Sequence, residues 1–141
     1  MKNRKMWYVC LVLLPVLLLC FCERPRKNTQ YDISQVQQVS FVQVTQEGEI
    51  TELETLDPNS LEAFFEDFGR IPCKIYWNDP SDCIIGPAIR IIFQDGSYHL
   101  ISHYCTIHSQ NGQSKDTRQW YSYEDFLALW DQYCSYEYNI P

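Results

Sequence analysis

The sequence predicts an α+β domain: an antiparallel sheet of about five strands with two helices packed on it, in the order β-β-α-β-β-β-α. Two observations lead to this class. Segments rich in β-branched and aromatic residues outnumber segments with helical periodicity. Several of these segments flank short turn dipeptides, which favours antiparallel pairing of neighbours. The chain has 141 residues, 45% of them apolar and 21% charged, a composition typical of one globular domain.

The first two strands form a predicted β-hairpin. Residues 36–45 contain no breaker, and residues 49–55 alternate acidic residues with Ile, Leu or Thr. Glu47-Gly48 lies between them and is a plausible turn. A two-residue turn there would pair Val44 with Thr51 and Val42 with Leu53.

A helix is predicted next. Asp57 can accept hydrogen bonds from the first free N–H groups of a helix, and Pro58 is favoured at the first helical position. Four apolar residues then follow with helical spacing: Leu61, Phe64, Phe65 and Phe68. Gly69 is expected to end the helix, since glycine easily adopts the left-handed conformation.

The third strand and a second hairpin follow. Residues 71–77 form a predicted strand, which Pro72 restricts to an edge position. Residues 88–94 and 97–105 flank Asp95-Gly96, a strong hairpin signal. A two-residue turn would place three pairs on the core face: Phe93 with Tyr98, Ile91 with Leu100, and Ile89 with Ser102.

The C-terminal part is predicted to contain a loop and a helix. Residues 109–118 are polar and include Asn111-Gly112, which indicates a turn or an exposed loop. Ser122 and Asp125 match a capping box at the start of an apolar helical pattern. The last seven residues, 135–141, are expected to pack loosely.

The N-terminus predicts a targeting segment, so the chain divides into residues 1–22 (signal or membrane anchor), 23–30 (polar linker) and 31–141 (extracytoplasmic domain). Three basic residues near the start precede an uncharged apolar run over residues 6–22. This run lies at the short end of the length that spans a bilayer. The membrane is therefore an expected partner through residues 6–22.

Leucines followed by a cysteine resemble the signal of bacterial lipoproteins, in which that cysteine carries lipid. The resemblance makes Cys20 and Cys22 the lipidation candidates. Leu19 and Phe21 stand where that pattern has a small residue, so an uncleaved single span and free secretion stay open as alternatives. All three alternatives place the domain outside the cytoplasm, either held at the extracytoplasmic side of the cell membrane or secreted. Basic residues also follow the run, which leaves the inward orientation as a minor alternative.

Charge excludes one class of function. The whole chain carries a formal charge of −7, but from Tyr31 onward five basic residues stand against seventeen acidic ones, a charge of −12. A domain of this charge is not expected to bind nucleic acid phosphates. It would be complementary to a basic partner.

Four of the seven cysteines follow the leader, and an even number in an exported domain predicts disulfides. The favoured pairs are Cys73–Cys83 and Cys105–Cys134. Other connectivities, or four reduced thiols, remain as alternatives.

No catalytic residue, cofactor or metal is predicted. A cluster of possible zinc ligands has no strong zinc spacing; it consists of His99, His103, Cys105 and His108. A nucleophile–base pair of Cys105 and His103 has no recognisable third group. The acidic residues of the first hairpin are expected to form a solvated face rather than a glycosidase pair; they are Glu47, Glu49, Glu52 and Glu54.

The many aromatic residues of the domain either cover the sheet or contact a partner. Tyrosine and tryptophan at a surface favour contact with a partner. The candidates are Trp120, Tyr121, Tyr136 and Tyr138. With the leader and the F-x-D-G-S-Y hairpin of residues 93–98, the chain resembles small uncharacterised bacterial lipoproteins. We expect a non-enzymatic domain that binds a protein or a cell-envelope component. The alternatives are an acidic inhibitor or immunity-type protein, and a small hydrolase.

Overall fold

The computed structural model describes residues 28–75, 84–116 and 119–138, without the side chains of residues 75, 115 and 116. Two helices and eight strands lie within these ranges. They are β1 (Val36–Val44), β2 (Ile50–Thr55), α1 (Leu61–Arg70), β3 (Cys73–Ile75), β4 (Gly86–Phe93), β5 (Tyr98–Ile101), β6 (Thr106–Gln110), β7 (Gln113–Asp116), β8 (Gln119–Tyr121) and α2 (Tyr123–Tyr133). Short 3-10 turns precede β1 and α1.

The strands form one large and one small antiparallel sheet. The large sheet has six strands in the order β2-β1-β4-β5-β6-β7, and β3 pairs with β8 in the small one. The predicted α+β class, with an antiparallel sheet and two helices, is confirmed. The described residues contain eight strands rather than about five, because β6, β7 and β8 lie where the sequence indicated a loop or no element.

The large sheet has two faces with different neighbours. On the helix face, α1 and α2 pack over side chains of β1, β4 and β5, and the fully buried Trp130 meets Phe41 with ring centroids 5.0 Å apart. On the opposite face, Val42 and Leu100 pack with Ile84 and Cys105 in a separate cluster. Burying each such large apolar side chain stabilises the fold by about 1.5–3 kcal/mol.

The predicted helical segment begins at Pro58, but as a 3-10 turn that precedes α1, and α1 ends differently from the prediction. Asp57 accepts a hydrogen bond from the Asn59 N–H at the start of the 3-10 turn Pro58–Ser60, and α1 follows. The prediction that Gly69 ends the helix is wrong. Gly69 lies inside α1, which runs to Arg70, and the Ile71 N–H then donates to Phe68 O. A glycine can also adopt the ordinary right-handed helical conformation, so the presence of Gly69 alone could not locate the C-terminus of the helix.

The predicted register of the β4–β5 hairpin is wrong by one residue. The Gly96 N–H donates to Phe93 O, the Phe93 N–H donates to Ser97 O, and Gly96 has φ +83°. This is a three-residue loop with glycine at its left-handed position, not the expected two-residue turn. A shift of one residue moves every side chain of a strand to the other face. His99 is therefore the cross-strand partner of Ile91, and both lie on the helix face. Leu100 lies on the other face of the sheet.

The β1–β2 hairpin exists, with an irregular register. Val44 pairs with Ile50 rather than Thr51, and Val42 with Glu52 rather than Leu53. Between Phe41 and Val42 the register shifts, so Leu53 is an extra residue in β2. The Thr45 N–H donates to Glu49 O and Gly48 has φ +82°, so the turn is a three-residue loop rather than the expected two-residue turn, and it shifts the pairs next to it by one residue. The β-bulge at Leu53 then returns the pairs beyond it to the register that a two-residue turn would give.

Residues 109–118, expected as a turn or loop, contain most of another hairpin. Asn111 and Gly112 both have positive φ, 52° and 74°, and Gln110 pairs with Gln113. These are the features of a two-residue type I′ turn, which matches the twist of the strands that it joins. The Asn-Gly dipeptide carried this signal, but polar flanking residues concealed the strands.

Both ends of the described domain are packed. The Trp130 Nε1–H donates to Tyr136 O at 2.7 Å, and the Tyr138 ring lies 5.2 Å from that of Trp130. The expectation of a loose tail is therefore wrong as far as Tyr138. At the other end Asn28, predicted as linker, is buried and its amide donates to Phe68 O at 2.8 Å.

Candidate interaction surface

A continuous row of aromatic side chains joins the segment after β5 to β8, α2 and the C-terminal tail. Ring centroids lie 6.5 Å apart for Trp120 and Tyr104, 4.9 Å for Tyr104 and His103, 5.1 Å for His103 and Tyr123, and 5.9 Å for Tyr123 and Tyr138. We call these five side chains the aromatic surface. Trp120 is 37% exposed and Tyr123 43% exposed, while the other three are half-buried.

Hydrogen bonds hold the aromatic surface in place. The Tyr104 hydroxyl accepts from the Ile85 N–H at 2.8 Å and donates to Ile85 O at 3.0 Å. His103 Nδ1 lies 2.9 Å from the Tyr138 hydroxyl. Burial lowers the pKa of His103 and raises that of Tyr138, so both are neutral at neutral pH. A surface fixed in this way loses little conformational entropy when a partner binds.

The four aromatic residues predicted from the sequence have different positions. Trp120 and Tyr136 are exposed, Tyr136 by 51%, and Tyr138 is half-buried within the aromatic surface. Tyr121 is 4% exposed and packs on Phe68, so its ring belongs to the core. Successive residues of a strand point to opposite sides, and Trp120 and Tyr121 are neighbours in β8.

Tyr123 was not among the predicted contact residues. It follows the cap residue Ser122 as the first residue of α2, and the buried face of the helix starts at Phe126. The sequence signal for its exposure was its position outside the apolar pattern of the helix. Its contact with His103 depends on the tertiary fold, so no sequence pattern could have shown it.

Two exposed carboxylates are chain neighbours of tyrosines of the aromatic surface. Glu124 follows Tyr123, and Glu137 precedes Tyr138; both are exposed. The ion pairs in the described part of the chain involve Arg70 and Arg90 and none of these groups. Lys74 stands opposite Trp120 in the register of β3 and β8, at the other end of the surface.

The suggested zinc cluster is divided among three places. His99 and His108 face each other on β5 and β6 with stacked rings whose centroids are 3.6 Å apart. His103 belongs to the aromatic surface, and Cys105 lies in the core of the opposite face. Among the described residues no group of three metal-binding side chains occurs. The suggested Cys105–His103 pair is separated in the same way, since the Nδ1 atom of His103 faces Tyr138.

The acidic residues of β2 have structural partners. Glu52 accepts from Ser40 and pairs with Arg90 at 2.7 Å. Glu54 accepts from the Ser135 N–H and hydroxyl, both at 2.7 Å. Hydrogen bonds lower the pKa of both carboxyl groups, chiefly from Thr55 for Glu52 and from Ser135 for Glu54. The bulge at Leu53 separates them, so they do not converge on a common site.

The favoured Cys105–Cys134 disulfide is not formed. Cys134 lies in the core on the helix face and Cys105 in the core on the opposite face, with the sheet between them. Burial, the largest cause, raises the pKa of Cys134 to about 11. Cys73 is buried in the core of the helix face. Cys83, the other member of the favoured Cys73–Cys83 pair, lies outside the described residues.

A groove of about 730 Å³ runs between residues 29–33 and α1. Its apolar lining includes Phe65 and Ile71. Its charged lining residues are Glu62, Glu66 and Arg70, and Arg70 forms ion pairs with Glu66 and with Asp67.

The lipidation candidates Cys20 and Cys22, together with the whole of residues 1–27, lie outside the described part of the chain. Among the residues described, neither helix has the length and apolar character needed to cross a membrane.

The comparisons with known proteins gave no match: no family model, no curated protein and no solved structure corresponds to this chain.

Proposed function

We propose that this protein is a non-enzymatic binding domain, held at the membrane or released on its extracytoplasmic side, whose aromatic surface contacts a protein or a cell-envelope component. The observation that carries the proposal is the exposure of Trp120 and Tyr123 within one continuous row of rings. Large rigid aromatic side chains contribute most of the binding energy at many interfaces.

The leader supports the location. Three basic residues followed by the uncharged residues 6–22 are typical of export or anchoring. The lipoprotein-like cysteines Cys20 and Cys22 would provide a lipid anchor, and retention of the apolar run would provide a single span. Intact mass measurement of the protein from its native membrane distinguishes these states, because cleavage and lipid attachment change the mass differently.

Position-specific crosslinking tests the binding role. A photoreactive benzophenone residue is placed at Trp120 or at Tyr123 of the full chain, and for comparison at Glu47 on the β1–β2 turn. We expect discrete adducts from Trp120 and Tyr123 that Glu47 does not give. The proposal fails if all three positions yield the same adducts or none.

The charge of the domain favours a second candidate function, an acidic inhibitor that neutralises a basic protein. Five basic residues against seventeen acidic ones from Tyr31 onward would attract such a partner at long range. This candidate predicts that the partner identified by crosslinking loses its activity in the complex. Retention of the partner's activity would leave only the binding role.

A further inference from the structure

We propose that residues 28–33, which we call the strap, form a pH-sensitive latch: protonation of His99 releases Tyr31 from an aromatic pocket, and the strap then leaves α1. The latch does not involve the aromatic surface and is independent of what that surface binds. The juxtaposition that carries it is a tyrosine hydroxyl placed on a histidine whose ring is stacked against a second histidine.

Tyr31 is the residue that fastens the strap to the domain. Its ring centroid lies 5.4 Å from that of Phe65 and 6.1 Å from that of Phe68, both in α1. On its other side the ring lies 6.1 Å from Phe93 of β4 and 5.5 Å from His99 of β5. We call these four rings the tyrosine pocket. Tyr31 therefore connects the strap both to the helix layer and to the large sheet.

The rest of the strap is a segment that can open locally. The Asn28 amide donates to Phe68 O at 2.8 Å, and the Thr29 hydroxyl accepts from the Gln119 amide at 3.3 Å. The strap lies outside the strands of both sheets. Three of its residues are exposed: Thr29, Gln30 and Asp32. Segments with few buried apolar contacts open at a lower free energy than the core, so the strap can leave while the domain stays folded.

His99 is placed to sense a proton. Its Nδ1 lies 3.0 Å from the Tyr31 hydroxyl, and its ring centroid lies 3.6 Å from that of His108. These are the titratable side chains that face it, from the strap and from β6, while β4 faces it with Phe93 and Ile91. The charged residues of the neighbouring elements are Lys115 of β7, opposite His108 in the register, and, in α1 beside the groove, Glu62, Glu66 and Arg70.

A proton on His99 removes the acceptor of the Tyr31 hydroxyl. Burial raises the pKa of Tyr31, so this hydroxyl keeps its hydrogen and needs an acceptor for it. Neutral His99 accepts at Nδ1 when its own hydrogen is on Nε2, whereas the protonated ring carries hydrogen on both nitrogens and cannot accept. A hydroxyl without an acceptor among apolar rings costs free energy. The charged ring would also be poorly solvated and would repel a charged His108.

Release of the strap relieves these costs, so acid favours the released state. In the latched state burial first, and His108 second, lower the pKa of His99 to about 4. Once Tyr31 leaves, water reaches the ring and its pKa rises towards 6.5. Because the released state then binds the proton more readily, the equilibrium shifts towards release as the pH falls below 6.5.

Release changes both the reach and the surface of the domain. The strap has six residues, which add about 20 Å of extended chain between the domain and the N-terminal segment. The three phenylalanines of the tyrosine pocket become exposed at the same time. Acid would therefore lengthen the connection and uncover an apolar surface in one step.

Fluorine NMR of the full chain in a non-ionic maltoside measures the latch. 3-Fluorotyrosine at Tyr31 reports the strap, with the urea-unfolded chain as the reference for a hydrated ring, and 5-fluorotryptophan at Trp130 reports the core. Exchange saturation transfer gives the ratio of released to latched strap at pH 7.5 and pH 5.5. We expect this ratio to rise about threefold at the lower pH, since the half-buried His99 ring gains part of the full effect. The Trp130 resonance should keep its native position.

Three phenylalanine variants assign the effect to the pocket. His99→Phe keeps a ring there and cannot titrate, so its ratio should change less than about 1.5-fold between the two pH values. His108→Phe removes the repulsion but not the burial, so its rise should lie between those of the wild type and His99→Phe. His103→Phe is the matched control, because it removes another histidine of lowered pKa outside the pocket, and it should rise as the wild type does. The change between the two pH values is the readout, since His99→Phe also removes the acceptor of the Tyr31 hydroxyl.

The latch is rejected if the ratio at Tyr31 does not rise at pH 5.5, or if no released strap is detected there. It is equally rejected if His99→Phe keeps the full rise, or if His103→Phe abolishes it. A released signal at Tyr31 that grows in proportion to an unfolded signal at Trp130 also overturns it, because acid would then act by unfolding the whole domain.

Discussion

Acidification should destabilise the domain through His99, whose ring is held neutral inside the fold. It stacks on His108 at 3.6 Å between centroids, meets Phe93 at 4.8 Å, and its Nδ1 lies 3.0 Å from the Tyr31 hydroxyl. Burial first, and the neighbouring His108 second, lower the pKa of His99 from 6.5 to about 4. A proton on this ring would be poorly solvated and would repel a charged His108.

The sign of the effect follows from the two states of the protein. The unfolded chain binds a proton near pH 6.5, whereas the folded chain binds one only near pH 4. Stability is therefore complete above pH 6.5 and is lost as the pH falls from there towards 4. Without solvent screening of His99, the free energy of unfolding would fall by about 1.3 kcal/mol between pH 7.5 and pH 5.5. Because the His99 ring is only half-buried, we expect about 0.7 kcal/mol after solvent screening.

Urea unfolding of the wild type and of His99→Phe at pH 7.5 and pH 5.5 measures this difference. The phenylalanine keeps an aromatic ring on the helix face and cannot titrate. We expect the free energy of unfolding of the wild type to fall by about 0.7 kcal/mol, a shift in Tm of about 3–5 °C, and that of the variant to fall by clearly less. Glu52 and Glu54 do not titrate in this range, since hydrogen bonds lower the pKa of both carboxyl groups.

His103→Phe measures the contribution of the second buried histidine to the pH dependence. Burial also lowers the pKa of His103, so this variant should lose part of the pH dependence and the double variant most of it. Equal pH dependence in the wild type and His99→Phe would refute the reasoning. It would mean that His99 is solvated in the folded state, and therefore that the β4–β5 register places it elsewhere.

Three further predictions concern stability and reactivity. Gly69→Ala should raise the free energy of unfolding by about 0.5–1 kcal/mol, since Gly69 is helical and open space surrounds the added Cβ. Gly96→Ala has equal space but φ +83°, so it should lower the free energy of unfolding by about 1–2 kcal/mol. Urea unfolding that ranks the two variants in the reverse order would contradict the assigned conformations. Trp130→Ala should lower it by about 3–5 kcal/mol, because the ring is fully buried; a loss below 1 kcal/mol would show that Trp130 is not central to the core. Cys134 is buried and its pKa is raised to about 11, so it should resist iodoacetamide at pH 8 in the native protein. It should react with iodoacetamide after denaturation without reductant. Failure of the denatured protein to react would indicate a disulfide.

The sequence predicted those elements whose signals are local. The cap at Asp57 and Pro58, the phenylalanine stripe of α1 and the capping box at Ser122 each depend on contacts within one helix turn or one helix face. The structure has both helices close to their predicted positions. The strands Val36–Val44 and Ile50–Thr55 were equally accessible, since their composition and alternation were clear.

Register was beyond local signals. One additional loop residue before Gly96 turned His99 onto the helix face, and one extra residue, Leu53, separated Glu52 from Glu54. Neither difference changes the composition of a strand. Both depend on which hydrogen bonds the complete sheet can satisfy, a property of several strands together.

By itself, the sequence determined the α+β class, the excess of acidic residues from Tyr31 onward after a basic N-terminal segment, and the abundance of aromatic side chains. The tertiary structure alone decided which aromatic rings are core and which are surface, placing Tyr121 inside and joining Tyr123 to His103. It likewise put Cys105 and Cys134 on opposite sides of the sheet. The physical reason is the same in each case: composition and periodicity act over a few residues, whereas burial and contact are set by segments that meet only after the chain has folded.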